Sequence, residues 1–289
     1  MNLRHILAAA DESEAGHQAV RSAIDLAARA HGSVTVMRTF PVGAMAVAAG
    51  GAEASDFDGV VMERPSLQDL HQWVRTELHA QRDPPHVEVG IAVGVPAIEI
   101  CRLGERRQAD LMVLGRKQRS PLGRLLQGDT ADAVARRSGI PCLFVPHDSG
   151  PFRQVLVAVD GSERGMLVLR GALGFALGAG ASLRMMTVEA GPPDEPAEAA
   201  STLPLARSAR LESELQALLT RNPVPGAVPA LEVRRGAIVE EILATVDAVA
   251  ADVLVIGYHR GGLPGIIEAG STARRLVHTA PGAVLTIPL

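Results

Sequence analysis

The chain has 289 residues, 47% of them apolar and 21% charged, with a net charge of −4. That length and composition predict two domains with sizeable hydrophobic cores. The acidic balance and an aromatic content of only 2% exclude the basic footprint of a DNA binder and the aromatic platforms of a single-strand binder.

In chain order, HILAAA (5–10) is a short apolar run and reads as a strand ending at Asp11, with Ser13 as a helix N-cap. Residues 17–32 carry the 3.6-residue period of an amphipathic helix, with Gly32 as its stop. SVTVMRTF (33–40) is a β-rich strand. The Gly- and Ala-rich stretch at 42–60 reads as a long loop. A helix at 66–81, a strand at 86–94, a helix at 96–108 and a strand at 110–115 follow. The first series closes with a loop, a helix at 130–138 and the strand CLFVP (142–146). The second series runs QVLVAVD (154–160), a helix at 163–179, SLRMMTV (182–188), a helix at 206–221 and LEVRRG (231–236). It ends with a helix at 238–249, DVLVIG (252–257), a loop, a helix at 271–278 and AVLTIP (283–288).

The two series are copies. HILAAADES answers QVLVAVDGS, so that Asp160 follows Asp11 by 149 positions. ADLMVLG at 109–115 answers ADVLVIG at 251–257, and QGDTADAVARRS answers AGSTARRLVHTA, both 142 positions apart. The shorter offset places seven extra residues in the first copy, and the stretch at 42–60 accommodates them. The copies span 1–147 and 152–289, joined by the turn residues of HDSGPF. Apolar strands alternating with helices predict a doubly wound α/β fold in each copy, a parallel sheet covered on both faces. CLFVP and AVLTIP are apolar edge strands that need cover. They are expected to pack against each other about a pseudo-twofold axis.

Two cysteines, Cys101 and Cys142, match no metal or redox spacing and are expected to be buried small hydrophobes in a reducing compartment. No stretch approaches the ~18 apolar residues of a membrane span. The apolar run at the N-terminus is too short for a signal peptide. A cytoplasmic location is expected.

In doubly wound folds ligands bind beyond the carboxyl ends of the strands, where the strand order reverses. Two features recur there. Asp11 and Asp160 close the first strand of each copy, and Gly115 and Gly257 close the fourth. Thirteen positions after each of these glycines come Gly128 and Gly270. Gly270-Ser271-Thr272 opens a helix, where free N–H groups, the helix dipole and two hydroxyls favour a phosphate. An ionised aspartate accepts hydrogen bonds only and suits a ribose or an adenine edge.

This pattern of Gly, two residues, Gly, nine residues, Gly and Ser or Thr, together with Val-Ala-Val-Asp-Gly-Ser at 157–162, resembles the universal stress protein domain. The resemblance extends over nearly the whole chain. It implies two tandem five-stranded sheets of order 3-2-1-4-5, ATP binding in some members, dimerisation through the last strand and a role in stress or dormancy. The implied ligand is ATP, with or without Mg²⁺. Carried onto the second copy, the nucleotide residues are Ala158, Asp160, Val188, Gly257, Arg260, Gly261, Gly270, Ser271 and Thr272. In the first copy they are Asp11, Gly115, Gly128 and Thr130.

The copies depart from the pattern unequally. In the second, Arg260 stands at the middle glycine, with Gly261 behind it. In the first, Gln118 takes that place, Asp129 replaces the hydroxyl and Thr39 stands where the second copy has Val188. A carboxylate facing a phosphate is repulsive. Arg116, Lys117, Arg119 and Arg124 either offset that charge or form a solvated basic loop. The first copy is therefore expected to be the degenerate one. His259 reads as a loop histidine within reach of phosphate, and His71 and His79 as filler near Trp73. No P-loop, nucleophile–base pair or metal-ligand spacing is present. Three functions follow from these residues: a nucleotide-binding regulator without robust catalysis, an interaction module with both pockets dead, and a slow ATPase. A homo-oligomer and a protein partner are expected in the first two.

Overall fold

A computed structural model describes residues 1–40, 67–79, 81, 83–116, 130–190, 202–221, 231–259 and 271–289. The predicted loop at 42–60 lies outside the described residues. The first half contains β1 (His5–Ala10), α1 (Glu14–Ala30), β2 (Ser33–Phe40), α2 (Leu67–His79), β3 (His86–Val93), α3 (Pro96–Arg106), β4 (Leu111–Gly115), α4 (Thr130–Arg137) and β5 (Cys142–Val145). The second contains β6 (Gln154–Ala158), α5 (Glu163–Ala179), β7 (Ser182–Ala190), α6 (Thr202–Arg221), β8 (Leu231–Gly236), α7 (Ile238–Ala248), β9 (Val253–Tyr258), α8 (Ser271–Thr279) and β10 (Ala283–Pro288).

Local signals in the sequence explain most boundaries. Ser13 and Ser162 cap α1 and α5, each hydroxyl accepting from the backbone N–H three residues on, Gly16 and Gly165. At the other end the copies differ. Gly180 closes α5 in the left-handed region, whereas α1 closes on His31, a side-chain-bearing residue with φ of 52°. The sequence reading named Gly32 as the stop of α1; the left-handed turn falls one residue earlier. Helix α6 begins at Thr202, a turn before the predicted 206.

The strands form one sheet of ten, in the order β3-β2-β1-β4-β5-β10-β9-β6-β7-β8. Each half keeps the 3-2-1-4-5 order with parallel pairing. The two predicted edge strands meet in antiparallel pairing at the centre, with Leu285 opposite Leu143, flanked by Val284 with Phe144 and Thr286 with Cys142. Antiparallel pairing of equivalent strands is what a twofold relation requires.

The joint extends beyond the ladder. On one face of the sheet a single core contains Ile24 and Val36 of the first half with Phe175 and Leu285 of the second. On the other face Met112 and Phe144 pack in one core with Leu254 and Leu276. Both cysteines are buried, as the sequence suggested, and burial pushes the Cys142 thiol up to about 12. The ring stacked on Trp73 is His17, at 4.4 Å, rather than His71 or His79. No helix among the described residues is long and apolar enough to cross a membrane.

Candidate functional site

A cleft of about 320 Å³ opens at the carboxyl ends of the second half's strands. That volume falls in the ~300–1,000 Å³ range of small-molecule sites. Ala158 and Asp160 border it at the end of β6, Val188 on β7, and Gly257 and His259 at the end of β9. Thr272, from the first turn of α8, forms the opposite wall. Of the second-copy residues singled out in the sequence, Ala158, Asp160, Val188, Gly257 and Thr272 thus converge on one cleft. Ser271 opens α8. Arg260, Gly261 and Gly270 lie outside the described residues.

The aspartate is fixed by its own turn. Asp160 Oδ1 accepts from the Ser162 N–H at 3.0 Å and from the Ser162 hydroxyl at 2.7 Å. The same hydroxyl accepts from the Gly165 N–H, so the turn and the helix cap are one unit. Asp160 remains exposed, and its second oxygen accepts no hydrogen bond among the described residues. At the rim, Arg164 Nη1 donates to His259 Nδ1 at 3.3 Å. This places a guanidinium and an imidazole together beside the cleft.

Much of the lining escaped the sequence reading. Ile238 and Ile242 of α7, Ile256 of β9 and Leu276 of α8 give the cleft an apolar floor, with Val168 and Leu289 at its side. Their signal in the sequence was only that of core residues. Gly165 also borders the cleft, and its repetition as Gly16 was visible at the offset of 149. Leu289 follows β10 and donates its N–H to the Tyr258 carbonyl at 3.0 Å. Its Cδ1 lies 2.6 Å from where a Cβ on Gly257 would stand.

The first half is built differently at the same place. A Cβ on Gly115 would lie 2.5 Å from the Ala15 carbonyl carbon and 2.6 Å from the Gly16 nitrogen. The start of α1 therefore rests directly on Gly115. Asp11 makes the same turn as Asp160, accepting from the Ser13 N–H and hydroxyl. Thr130 opens α4. Gly128 and Asp129, with Lys117, Gln118, Arg119 and Arg124, lie outside the described residues.

Arg116 corrects the sequence reading. Offered there as a phosphate-side or solvated cation, it is 2% exposed and crosses to the second half. Its Nη2 donates to the carbonyls of Ala280 at 2.7 Å and Gly282 at 2.8 Å, just past the end of α8. The guanidinium thus supplies donors to main-chain carbonyls in the turn that follows α8.

Together these features define a tandem, doubly wound α/β protein whose halves join through their last strands. The universal stress protein family model matches residues 2–146 and again 151–288, and the chain belongs to that family. Among solved structures, a universal stress protein from Archaeoglobus fulgidus DSM 4304 is similar over 100% of this chain and 99% of its own, at 17% identity and a TM-score of 0.73. A functionally unknown protein from Pseudomonas aeruginosa PAO1 is similar over 99% of this chain and 92% of its own, at 17% identity and a TM-score of 0.64. A putative universal stress protein from Pseudomonas aeruginosa UCBPP-PA14 is similar over 99% of this chain and 93% of its own, also at 17% identity and a TM-score of 0.64. At such identities the likeness is one of fold. No curated protein matches the chain.

Proposed function

We propose that this universal stress protein is an adenine-nucleotide-binding regulator of the stress response, and that the second half carries the working pocket. The observation that carries the reading is the cleft at the strand ends, where an apolar floor meets Asp160 on one side and the first turn of α8 on the other. Val188 and Ile242 suit the faces of a purine ring. The second oxygen of Asp160, which accepts no hydrogen bond among the described residues, suits a ribose hydroxyl or an adenine edge. Thr272 and the first N–H groups of α8, which have no partner within the helix, suit the phosphates, with Arg164 and His259 beside them. ATP is the ligand of choice, with Mg²⁺ accompanying its phosphates, and no catalytic residue is assigned. The first half is read as the degenerate copy, because Gln118 and Asp129 replace the glycine and the hydroxyl of the pattern and the start of α1 rests directly on Gly115.

The test is mass spectrometry of ligand released from the gently purified protein, paired with ATP titration of wild type, Asp160→Ala and Asp11→Ala. Retained adenine nucleotide is expected. Asp160→Ala should weaken ATP about tenfold, the usual scale for a charge-assisted hydrogen bond, and Asp11→Ala should leave binding unchanged. No retained ligand and no binding at millimolar ATP would overturn the reading. The protein would then be an interaction module that has inherited the shape of a pocket.

A further inference from the structure

We propose that Asp132, a residue of the first half, is a positioning residue for the ligand cleft of the second. The proposal rests on the reading of that cleft as the nucleotide site. Asp132 lies in the first turn of α4, and its side chain is only 8% exposed. Three groups face it. Arg136, one turn further along the same helix, pairs with Oδ2. The other two come from the opposite half. Arg274 Nε approaches Oδ2 at 3.5 Å, and the hydroxyl of buried Tyr258 points to Oδ1 at 3.5 Å, a long hydrogen bond.

Both partners from the second half sit beside cleft residues in the chain. Tyr258 lies between Gly257 and His259, and both of these border the cleft. Arg274 follows Thr272 and Ala273, which also border it. One carboxylate from outside the second half therefore ties together the end of β9 and the first turn of α8. These are the two walls that would flank the ligand's phosphates. Burial holds the Tyr258 phenol above its ordinary acidity range, with the Asp132 charge acting in the same direction, so the hydroxyl stays a donor. Arg116 completes the restraint from the other end, because the carbonyls it holds lie just past α8. The first half thus grips α8 at its start and at its finish.

The repeat indicates that this is a built contact. Asp132 and Arg274 occupy equivalent positions, 142 apart, as do Arg116 and Tyr258. Asp132 and Arg274 face each other across the pseudo-twofold axis with opposite charges, whereas Arg116 and Tyr258 each reach into the opposite half and find different partners there. A ligand that orders the start of α8 then stabilises the Asp132 contacts, and by reciprocity those contacts strengthen the ligand.

The chain contains one tyrosine, so a ¹³Cζ-tyrosine label gives a single resonance that reports on Tyr258. ATP titrations of the full-length wild type, Asp132→Asn, Tyr258→Phe and the double variant would be followed by calorimetry, and those of the tyrosine-bearing proteins also by that resonance. ATP is expected to move the resonance in wild type and not in Asp132→Asn. Each single variant should bind ATP roughly five- to tenfold more weakly, within the usual range of coupling between sites. The double variant should be no weaker than either single one, since both changes break the same link. A purely structural contact would lower thermal stability and leave ATP affinity within twofold of wild type; that result in both single variants overturns the proposal. If Asp132→Asn does not fold, Tyr258→Phe alone carries the affinity test.

Absence of ATP binding by wild type would instead defeat the nucleotide reading. The positioning role is then decided by amide hydrogen exchange in the ligand-free protein. Faster exchange confined to 257–259 and 271–279 in Asp132→Asn supports it, and unchanged exchange there overturns it.

Discussion

The two halves share a strand order, a pair of capped helices and a pair of aspartate turns, yet they pack differently around the glycine that closes the fourth strand. In the first half, main-chain atoms of Ala15 and Gly16 crowd the bare face of Gly115. In the second, the equivalent Gly257 faces the ends of two side chains, Leu289 and Val168, and a cleft of about 320 Å³ remains. A glycine repeated in both copies can therefore serve two purposes. Against a backbone it lets two elements of the fold touch, and against mobile side-chain ends it leaves room for something else.

The residue after each glycine tells the same story. Arg116 and Tyr258 are equivalent, and both are buried and reach into the opposite half. Arg116 satisfies two main-chain carbonyls, whereas Tyr258 contributes one long contact to a carboxylate. Removal of Arg116 is expected to have the largest effect. Arg116→Ala leaves two carbonyls without their donor at a buried joint and should cost about 4 kcal/mol, taking roughly 1–3 kcal/mol for each lost partner. Urea unfolding of the full chain measures it, and a loss below about 1 kcal/mol would show that water replaces the guanidinium.

The glycines themselves give the sharpest contrast. Gly115→Ala drives a methyl group into main chain that cannot move independently and should cost about 3 kcal/mol, the upper part of the range for overpacking. Gly257→Ala meets the end of Leu289, which can rotate away. Its cost should be under about 1 kcal/mol, helped by the reduced entropy of the unfolded chain. Equal costs in urea titrations would erase the distinction drawn between the two crevices.

A smaller contrast lies at the opposite end of the sheet. His5 contacts Ser33, while its counterpart Gln154 contacts Ser182. Burial, then the nearby Arg107 charge, lowers the His5 pKa below its ordinary value of 6.5. The folded state thus disfavours the protonated ring. Its contribution to stability is fully present above 6.5 and is lost as pH falls through the lowered folded value. His5→Gln, which imports the second half's solution, should flatten the pH dependence of the unfolding midpoint below pH ~6.5. An unchanged slope would mean that other groups set it.

Sequence reading captured the features whose signals are local. The Ser13 cap, the strand-closing aspartates and the repeat itself all depend on residues a few positions apart or on the comparison of two copies. The cleft was only half legible. Asp160, Gly257 and Thr272 carry a spacing that can be recognised, but Ile238, Ile242 and Leu289 look like any other apolar residue. Whether such a residue fills a core or floors a cleft depends on what packs over it. Arg116 was misplaced for a similar reason. A cation next to a basic run reads as solvated until a helix from the other half is seen to end beside it.

The sequence alone determined the alternation of strands and helices, the duplication and the doubly wound class of each half, through hydrophobic period and chain connectivity, while the order 3-2-1-4-5 came from the resemblance to the universal stress protein domain. The meeting of the two last strands was expected from their need for cover; only the tertiary structure decided their antiparallel register, with Leu143 opposite Leu285, and that α1 rests on Gly115 while the equivalent helix leaves Gly257 to side chains. These are matters of contact between residues far apart in the chain, or of how closely a helix start approaches a strand end. Neither is written in a local pattern, since close packing settles them only when every neighbour is in place.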